Sequence, residues 1–249
     1  MFESLQLFAR AWKYRRRNEV SEIAYLCHNL FKGNVVVDVG AHKGAYLYWM
    51  RKIVGPEGLV FAFEPQPRLA QLLNRIVVQK GWKNVIVENL GVSSKPGTMT
   101  LHIPASSSGT SPGASLCPKS DESSSGTNLS IEVVSLDDYF TQKKINQIDF
   151  LKCDVEGHEL EVFRGASEIL KSSHPRLLFE CEGRHHEHDS VTPVFEYLES
   201  LGYQGEFFLD RQLVPLEKLD LGIHQSTEGE RFWEQPGYCC NFVFENRAA

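Results

Sequence analysis

Acidic side chains recur at the ends of apolar runs in this 249-residue chain. Each of the following residues closes or directly follows such a run: Asp38, Glu64, Glu88, Asp154 and Glu180. Carboxylates can accept hydrogen bonds from hydroxyl groups, take up a proton, or bind a hard cation. Because the carboxyl ends of parallel strands meet at one edge of a sheet, we expect these side chains to share a cleft there.

The first of these runs leads into a glycine turn that indicates a nucleotide-type ligand. Val35–Val39 has the apolar character of a buried parallel strand, and residues Asp38 to Gly44 follow the pattern D-x-G-x-x-x-G. Gly40 has no Cβ, so its backbone can turn sharply and approach a ligand. Gly44 precedes a helix whose first N–H groups lack intrahelical partners, and Tyr46 lies in the first turn of that helix.

Two better-known glycine motifs do not fit this turn. A dinucleotide fingerprint requires glycine where His42 and Ala45 stand, and the P-loop pattern also fails. The pattern instead looks like the first motif of class I S-adenosylmethionine (SAM) methyltransferases. A tight turn between strand and helix in some other α/β fold is the structural alternative.

The second strand favours a ligand that contains ribose. Leu59–Phe63 is apolar and ends in Glu64 and Pro65. Glu64 lies about 20 residues beyond the glycine turn, where a βαβ unit carries the acid that binds ribose hydroxyls. Pro65 has no N–H with which to continue a strand ladder.

The order of elements predicts the fold class. A third strand is expected over Val85–Glu88, followed by Asn89 and Leu90, and helical patterns separate it from the two earlier strands. This βαβαβ order predicts an α/β fold with a doubly wound, Rossmann-like parallel sheet and right-handed crossovers.

A later turn carries the candidates for catalysis. A strand that ends near Cys153 is followed by Asp154 and Glu156, which could accept a proton from a hydroxyl or together bind a divalent cation. Either acid could instead cap the following helix. His158 has the reference pKa nearest neutrality, although it could simply point outward. Glu180 ends the next strand, so we expect it beside these acids.

A polar segment after Glu180 contains three histidines among acids, over residues 183–189. Such side chains could bind a metal, but they lack a strict ligand spacing, and loops after strands are commonly polar. Metal dependence is therefore left open. Arg184 or one of the histidines could contact a substrate.

Composition restricts the function classes. The net charge of −6 argues against a large nucleic-acid footprint, and the apolar content of 42% suffices for one sizeable core. The sequence contains neither an apolar run of about 18 residues nor the apolar core of a signal peptide. The six cysteines form no C-x-x-C pair, which predicts reduced thiols in a cytoplasmic protein.

Two segments flank or interrupt the predicted sheet. Residues 1–33 are expected to form a helical cap, with a basic cluster at Lys13, Arg15, Arg16 and Arg17. That cluster is either a solvated helix end or a grip on an anionic group or membrane surface. Residues 104–128 are rich in Ser, Gly and Pro, which predicts a lid or a disordered loop.

Over residues 34–245 the chain resembles the FkbM-type SAM-dependent methyltransferases. The matching segments are D-V-G-A-H-K-G from Asp38, F-E-P from Phe63, S-L-D-D from Ser135, K-C-D-V-E-G from Lys152 together with the later F-R-G-A, and L-L-F-E from Leu177. The family more often has Asn at the position of His42 and Ile at that of Cys153. The resemblance implies one methyltransferase domain over 34–249. It also implies a class I sheet that is mostly parallel and is closed by an antiparallel strand near 238–245.

The resemblance also implies a reaction and a set of site residues. The reaction is transfer of a methyl group from SAM to a hydroxyl oxygen of a small molecule, a sugar or a secondary metabolite. The expected cofactor-binding residues are Asp38, Gly40, His42, Gly44, Tyr46, Glu64, Pro65, Glu88, Asn89, Leu90 and Asp154. Of these, Glu88, Asn89 and Leu90 are expected to flank the adenine. The expected catalytic candidates are Asp154, Glu156, His158 and Glu180.

Two other functions compete with this interpretation. One is a non-catalytic SAM-binding module, which would be favoured if Asp154 and Glu156 pointed away from the cofactor. The other is an NAD-type oxidoreductase, which the missing middle glycine disfavours. The identity of the acceptor, the choice between oxygen and nitrogen, the metal and the oligomeric state are not determined at this level.

Overall fold

A computed structural model of the chain describes residues 2–106, 109–116, 125–186 and 190–246. In chain order the strands are β1 (Val35–Val39), β2 (Leu59–Phe63), β3 (Val85–Glu88), β4 (Gly91–Val92), β5 (Gly97–Pro104), β6 (Gly126–Val134), β7 (Phe150–Cys153), β8 (Arg176–Glu180), β9 (Tyr203–Leu209), β10 (Gln212–Pro215) and β11 (Asn241–Asn246). The α-helices are α1 (Phe2–Lys13), α2 (Val20–Asn29), α3 (Ala45–Val54), α4 (Pro67–Lys80), α5 (Leu136–Lys143), α6 (Glu159–Arg164), α7 (Ser167–Ser172), α8 (Thr192–Ser200) and α9 (Leu221–His224).

The central sheet has eight strands in the order β10-β9-β11-β8-β7-β1-β2-β3. β8, β7, β1, β2 and β3 pair in parallel, as the βαβ order predicted. Their valine- and phenylalanine-rich runs are buried because helices cover both faces of the sheet. The carboxyl ends of the parallel strands therefore open on one edge.

The C-terminal strand is antiparallel but does not lie at the edge of the sheet. β11 begins at Asn241 and pairs with both β8 and β9, so Phe242 faces Phe179 on one side and Phe207 on the other. The hairpin of β9 and β10, which turns at Asp210 and Arg211 with positive φ, forms the edge instead. The predicted antiparallel C-terminal strand is therefore confirmed, and it lies inside the sheet between β8 and β9.

A second sheet, which we did not predict, stands beside the first. Its strand order is β4-β6-β5, and it has its own small core of Leu101, Ile103, Ile131 and Val133. Residues 109–116 return across it, and Ser115 pairs with His102. Much of the predicted lid segment thus belongs to β5, β6 and this return, while residues 107–108 and 117–124 lie outside the described part of the chain.

The N-terminal helices share a core with the sheet. α1 continues through a π-helical turn over Tyr14–Asn18 into α2. Ala11 and Ile23 belong to the same buried cluster as Val36 and Val60 of the sheet. The indole N–H of Trp49 donates to the carbonyl of Ala11 at 3.0 Å, which ties α1 to α3. These contacts hold residues of the N-terminal segment at the rim of the sheet edge.

Helix ends follow local sequence signals. Ser135 caps α5 by accepting the N–H of Asp138, and Gly81 ends α4 with a positive φ of 62°. Asp137 accepts the N–H groups of Glu168 and Ile169 at 3.0 Å each and so caps α7. Within the described ranges, none of the helices combines the length and apolar character needed to cross a membrane.

Candidate active site

A cleft of about 1260 Å³, a volume that includes space open to solvent, lies at the carboxyl ends of β1, β2, β7 and β8. Its lining includes most of the residues that the sequence analysis selected: Gly40, His42, Tyr46, Glu64, Pro65, Leu90, Asp154, Glu156 and Glu180. The expectation that strand-end acids share one edge is therefore met for Glu64, Asp154 and Glu180.

The glycine turn after β1 is shaped by its neighbours. Gly40 has φ 77°, and a Cβ at this position would lie 1.9 Å from the carbonyl oxygen of Asp154. Gly40 thus allows the turns after β1 and β7 to approach each other. Gly44 is outside the cleft, because a Cβ there would meet Leu73 and Leu7 at 2.7 and 3.1 Å. The role of Gly44 is close packing of α1 and α4 against the start of α3.

Glu64 is 2% exposed and reaches the cleft from the end of β2. Its Oε2 accepts the N–H of His42 at 2.6 Å, and its Oε1 accepts the N–H of Gln66 at 2.9 Å. Burial raises the pKa of Glu64 to about 7, and these two hydrogen bonds oppose the rise. Each oxygen keeps a further lone pair, so the carboxylate can accept two more hydroxyl hydrogen bonds.

A buried lysine that the sequence analysis missed supports the site from below. Lys152 lies on β7, and its Nζ is 3.2 Å from Asp154 Oδ2, 3.7 Å from Asp38 Oδ1 and 3.2 Å from the carbonyl oxygen of Gly40. Burial opposes its charge, but the two carboxylates raise its pKa above the usual value. A lysine inside the apolar run from Phe150 to Cys153 was the available signal, because an unpaired charge does not stay buried.

Asp38 belongs to this support and does not line the cleft. It is fully buried, and burial raises its pKa while Lys152 opposes that rise. Its predicted contact with a cofactor is therefore replaced by a contact with Lys152. Asp154 lines the cleft with a side chain that is 34% exposed.

Glu156 and Glu180 form the acidic wall of the cleft. Burial and the nearby charge of Asp154 raise the pKa of Glu156 to about 8, and burial raises that of Glu180 well above its usual range. Glu156 has a positive φ of 55°, a conformation rarely adopted outside glycine, and His185 Nε2 lies 3.0 Å from its Oε2. Such a cluster of raised pKa values favours a bound cation or a role in proton transfer.

Three further predicted residues lie away from the cleft, in addition to Asp38 and Gly44. His158 is buried behind it with Nε2 2.9 Å from Ser93 Oγ, and burial lowers its pKa. Glu88 accepts the hydroxyl of Tyr139 at 2.6 Å because alternation along β3 directs its side chain to the α5 face. Asn89 donates to the carbonyls of Glu64 and Pro65 at 2.9 and 3.0 Å, so it holds the end of β2 in place.

The N-terminal segment contributes residues that had no signal in the sequence. Arg10, Tyr14 and Glu19 line the cleft. Arg10 donates to the carbonyl of Lys43 at 2.9 Å, and Tyr46 donates its hydroxyl to Glu19 at 3.3 Å. Burial raises the pKa of Glu19 to about 7.

His42 offers an unused polar atom to a ligand in the cleft. Its Nε2 is buried and makes no hydrogen bond to any described residue, and its backbone has φ 47°. Burial lowers the pKa of His42 to about 4, so its imidazole is neutral at physiological pH. A nucleoside-type cofactor with hydroxyl and amino groups would fit this atom and Glu64.

Two groups of side chains are close enough to bind a metal in the described ranges: Glu159 with Cys181 and His186, and Glu180 with Glu182 and Cys240. In the second group, Glu182 already accepts two hydrogen bonds from Arg184, at 2.8 and 2.7 Å, and one from Tyr238. Neither group contains Asp154 or Glu156. Glu187, His188 and Asp189 of the predicted polar segment lie outside the described residues.

Known proteins resemble this chain in sequence. A family model described as the methyltransferase FkbM domain matches residues 38–204. The hexuronic acid methyltransferase AglP of Haloferax volcanii is 28% identical over 175 residues, which are 68% of this chain and 65% of that protein. The methyltransferase sdnD of Sordaria araneosa is 32% identical over 172 residues, which are 56% of this chain and 63% of that protein. The chain thus spans slightly less than two thirds of the length of these relatives.

The fold also occurs among solved structures. The methyltransferase FkbM from Methylobacillus flagellatus superposes with a TM-score of 0.53 at 17% identity, covering 97% of this chain and 54% of that chain. At this identity the likeness concerns the fold alone. With the observed strand order, it confirms the predicted doubly wound α/β class.

Proposed function

Since the chain belongs to the methyltransferase FkbM domain family, we propose that it transfers the methyl group of SAM to a hydroxyl oxygen of a sugar or secondary metabolite. The observation that carries this proposal is that Glu64, Asp154 and Glu156 line one cleft. Glu64 is positioned for ribose hydroxyls, and the other two acids stand beside it where a proton must be removed. The name of AglP, a hexuronic acid methyltransferase, supports a sugar acceptor.

The residues of the first three strands would hold the cofactor. In its ionised form Glu64 accepts hydrogen bonds from both ribose hydroxyls, in addition to those from His42 and Gln66. Pro65 and Leu90 offer apolar surface to the adenine at the same end of the cleft. When bound, SAM supplies a methyl group that is already activated by its sulfonium.

The chain's own contribution to the reaction is orientation and proton removal. We assign Glu156 as the base, because its raised pKa of about 8 lies near the working pH, where a general base is most effective. His185, 3.0 Å from Glu156 Oε2, orients this carboxylate. Lys152 holds Asp154 and the glycine turn in fixed positions beside Glu156. The return over residues 109–116, anchored by Gln66 to Ser111, restricts the entry of water from one side.

The alternatives are less well supported. A non-catalytic module has no need for three acids beside the cofactor position, and Asp154 and Glu156 both line the cleft. A metal shared by these two acids lacks support, because neither belongs to a described group of three or more side chains close enough to bind one. The net charge of −6 supports our proposal of an acceptor other than nucleic acid, and the free cysteines among the described residues support our proposal of a cytoplasmic location.

The test is calorimetric titration with S-adenosylhomocysteine, the demethylated cofactor product. Glu64→Gln removes the ionised acceptor of two hydroxyl bonds, each worth about 1.5–3 kcal/mol for a charged group, so Kd should rise at least about 100-fold. Glu88→Gln is the matched control, because Glu88 ends the neighbouring strand but faces Tyr139. Its Kd should stay within about threefold of wild type.

The pH dependence of binding provides a second test. Only the ionised form of Glu64 can accept both hydroxyl bonds, so affinity should strengthen as pH rises through about 7 and should lose about tenfold per unit below it. Glu64→Gln should lack this dependence. Failure of the folded wild type to bind S-adenosylhomocysteine would refute the proposal, and equal losses in Glu64→Gln and Glu88→Gln would refute the role of Glu64.

A further inference from the structure

Three donor atoms of different chemistry converge behind the acidic wall of the cleft. They are Oε2 of Glu159, Sγ of Cys181 and Nε2 of His186, all within 4.8 Å of one another. The imidazole nitrogen lies 3.2 Å from the sulfur and 3.0 Å from the carboxylate oxygen. Glu159 opens α6, while Cys181 and His186 flank the short 3-10 turn after β8. The cluster thus joins the segments that follow two neighbouring strands.

Hydrogen bonds among the three side chains do not satisfy all of their buried polar atoms. Glu159 and Cys181 are each 1% exposed. Glu159 Oε1 accepts the N–H of Gly157 at 3.1 Å, but its Oε2 has no hydrogen-bond partner in the described ranges, although His186 is close. A ring nitrogen has a single direction in the ring plane for a proton or a lone pair. His186 Nε2 therefore cannot serve both the sulfur and the carboxylate, whereas one cation between them would.

We propose that Glu159, Cys181 and His186 bind a divalent transition metal ion, with Zn²⁺ as the best match. Thiolate, imidazole and carboxylate are the three zinc ligands of proteins, and three protein ligands leave a fourth position for water. Tetrahedral zinc with bonds of about 2.0–2.3 Å sets its ligand atoms roughly 3.3–3.6 Å apart. The observed separations of 3.0 and 3.2 Å are within a few tenths of an ångström of that arrangement.

The metal would stabilise the acceptor side of the cleft. Glu156 lies three residues before Glu159 in the turn that leads into α6, and His185, its partner at 3.0 Å, is adjacent to His186. A metal bound to Glu159 and His186 would therefore fix both members of this pair through the backbone. It would also neutralise a buried carboxylate. This role is structural, and the metal site does not depend on the identity of the methyl acceptor.

The experiment uses the whole 249-residue chain, stripped with a chelator and kept reduced. Wild type should bind one equivalent of Co²⁺ with the charge-transfer absorption of a thiolate ligand, and one equivalent of Zn²⁺ in competition with a chromophoric chelator. Cys181→Ser should lose the absorption, and Cys27→Ser, whose thiol lies on distant α2, should retain it. His186→Gln should weaken Zn²⁺ binding by more than the roughly 10–100-fold typical of an outer-shell partner.

Each outcome decides the proposal. Circular dichroism and the melting temperature establish that the variants are folded, and Zn²⁺ should raise the melting temperature of wild type but not of His186→Gln. A folded wild type that binds neither Co²⁺ nor Zn²⁺ would overturn the site and leave a metal-free hydrogen-bonded cluster. Retention of the thiolate absorption in Cys181→Ser would also overturn it. If Cys181→Ser does not fold, the wild-type stoichiometry and His186→Gln decide.

Discussion

Replacing Lys152 by Met tests whether a buried ion pair supports the site. The side chain of Lys152 is 6% exposed and that of Asp38 is 1% exposed, with 3.7 Å between Nζ and Oδ1. The side chain of Asp154, whose Oδ2 lies 3.2 Å from Nζ, is 34% exposed, so water can solvate this carboxylate when the lysine is removed. Met can fill much of the space of the lysine stem. The main effect of Lys152→Met is therefore an unpaired carboxyl group at Asp38.

The magnitude follows from the burial of Asp38. Removing one partner of a buried ion pair typically costs about 3–5 kcal/mol of unfolding free energy. For a chain of 249 residues, each kcal/mol corresponds to about 2–4 °C in melting temperature, so Lys152→Met should lower it by about 6–20 °C. Since Lys152 also donates to the carbonyl of Gly40 at 3.2 Å, S-adenosylhomocysteine should bind more weakly as well.

The dependence on pH distinguishes a charge effect from a packing defect. Burial raises the pKa of Asp38, and Lys152 opposes that rise, so the variant should raise it further. An acid whose folded pKa exceeds its unfolded value of about 3.9 binds more protons when folded, and the unfolding free energy then falls as pH rises. The deficit of Lys152→Met should shrink as pH is lowered from about 8 to about 5, whereas a packing defect would persist.

Urea unfolding at several pH values provides the assay. Lys171→Met is the control, because Lys171 pairs with Glu168 at the surface and its loss should cost no more than about 0.5 kcal/mol. The double variant Asp38→Asn with Lys152→Met should recover much of the loss, since the unpaired carboxyl group is removed. The reasoning is refuted if Lys152→Met loses less than about 1 kcal/mol, or if the double variant is no more stable than the single one.

Three further predictions concern the turns of the site. Gly40→Ala should lower the free energy of unfolding in urea by more than about 2 kcal/mol, because φ is 77° and the added Cβ would clash with Asp154. The control Gly33→Ala, at φ 87° in open space, should cost only about 1–2 kcal/mol. Equal losses in the two variants would contradict this prediction. Glu156→Gln should lower kcat about 10²–10⁴-fold. It should also abolish the rise of kcat/KM as pH passes about 8. An unchanged dependence of kcat/KM on pH would exclude Glu156 as the base. Asp137→Ala should cost about 1–2 kcal/mol of unfolding free energy by uncapping α7, and no loss in urea would contradict that role.

The parts of the site that the sequence predicted are those with short-range signals. The strands β1 and β2, the glycine turn and Glu64 follow from apolar runs and turn residues within about 30 positions, the span of a βαβ unit. The rule that parallel strands end on one edge then brings Glu64, Asp154 and Glu180 to the same cleft. The family follows from motif order along the chain.

For some residues the sequence predicted the correct place along the chain but not the direction of the side chain. Glu88 ends β3 as expected, but alternation along the strand turns it toward Tyr139 on the α5 face. His158 follows the turn after β7 as expected, yet it packs against Ser93 behind the cleft. Position along the chain determined the edge of the sheet, and the geometry of the local backbone determined which side chains reach the cleft.

The sequence alone thus determined the element order, the parallel sheet, the glycine turn and the family, because these depend on local periodicity and motif spacing. Only the tertiary structure decided the pairing of Lys152 with Asp38, the entry of Glu19 into the cleft, and the convergence of Glu159, Cys181 and His186. Such contacts join segments distant in sequence, and no local rule encodes which side chains meet. Low dielectric surroundings then set their charge states, so chemistry that depends on pKa values emerges only when the chain is folded.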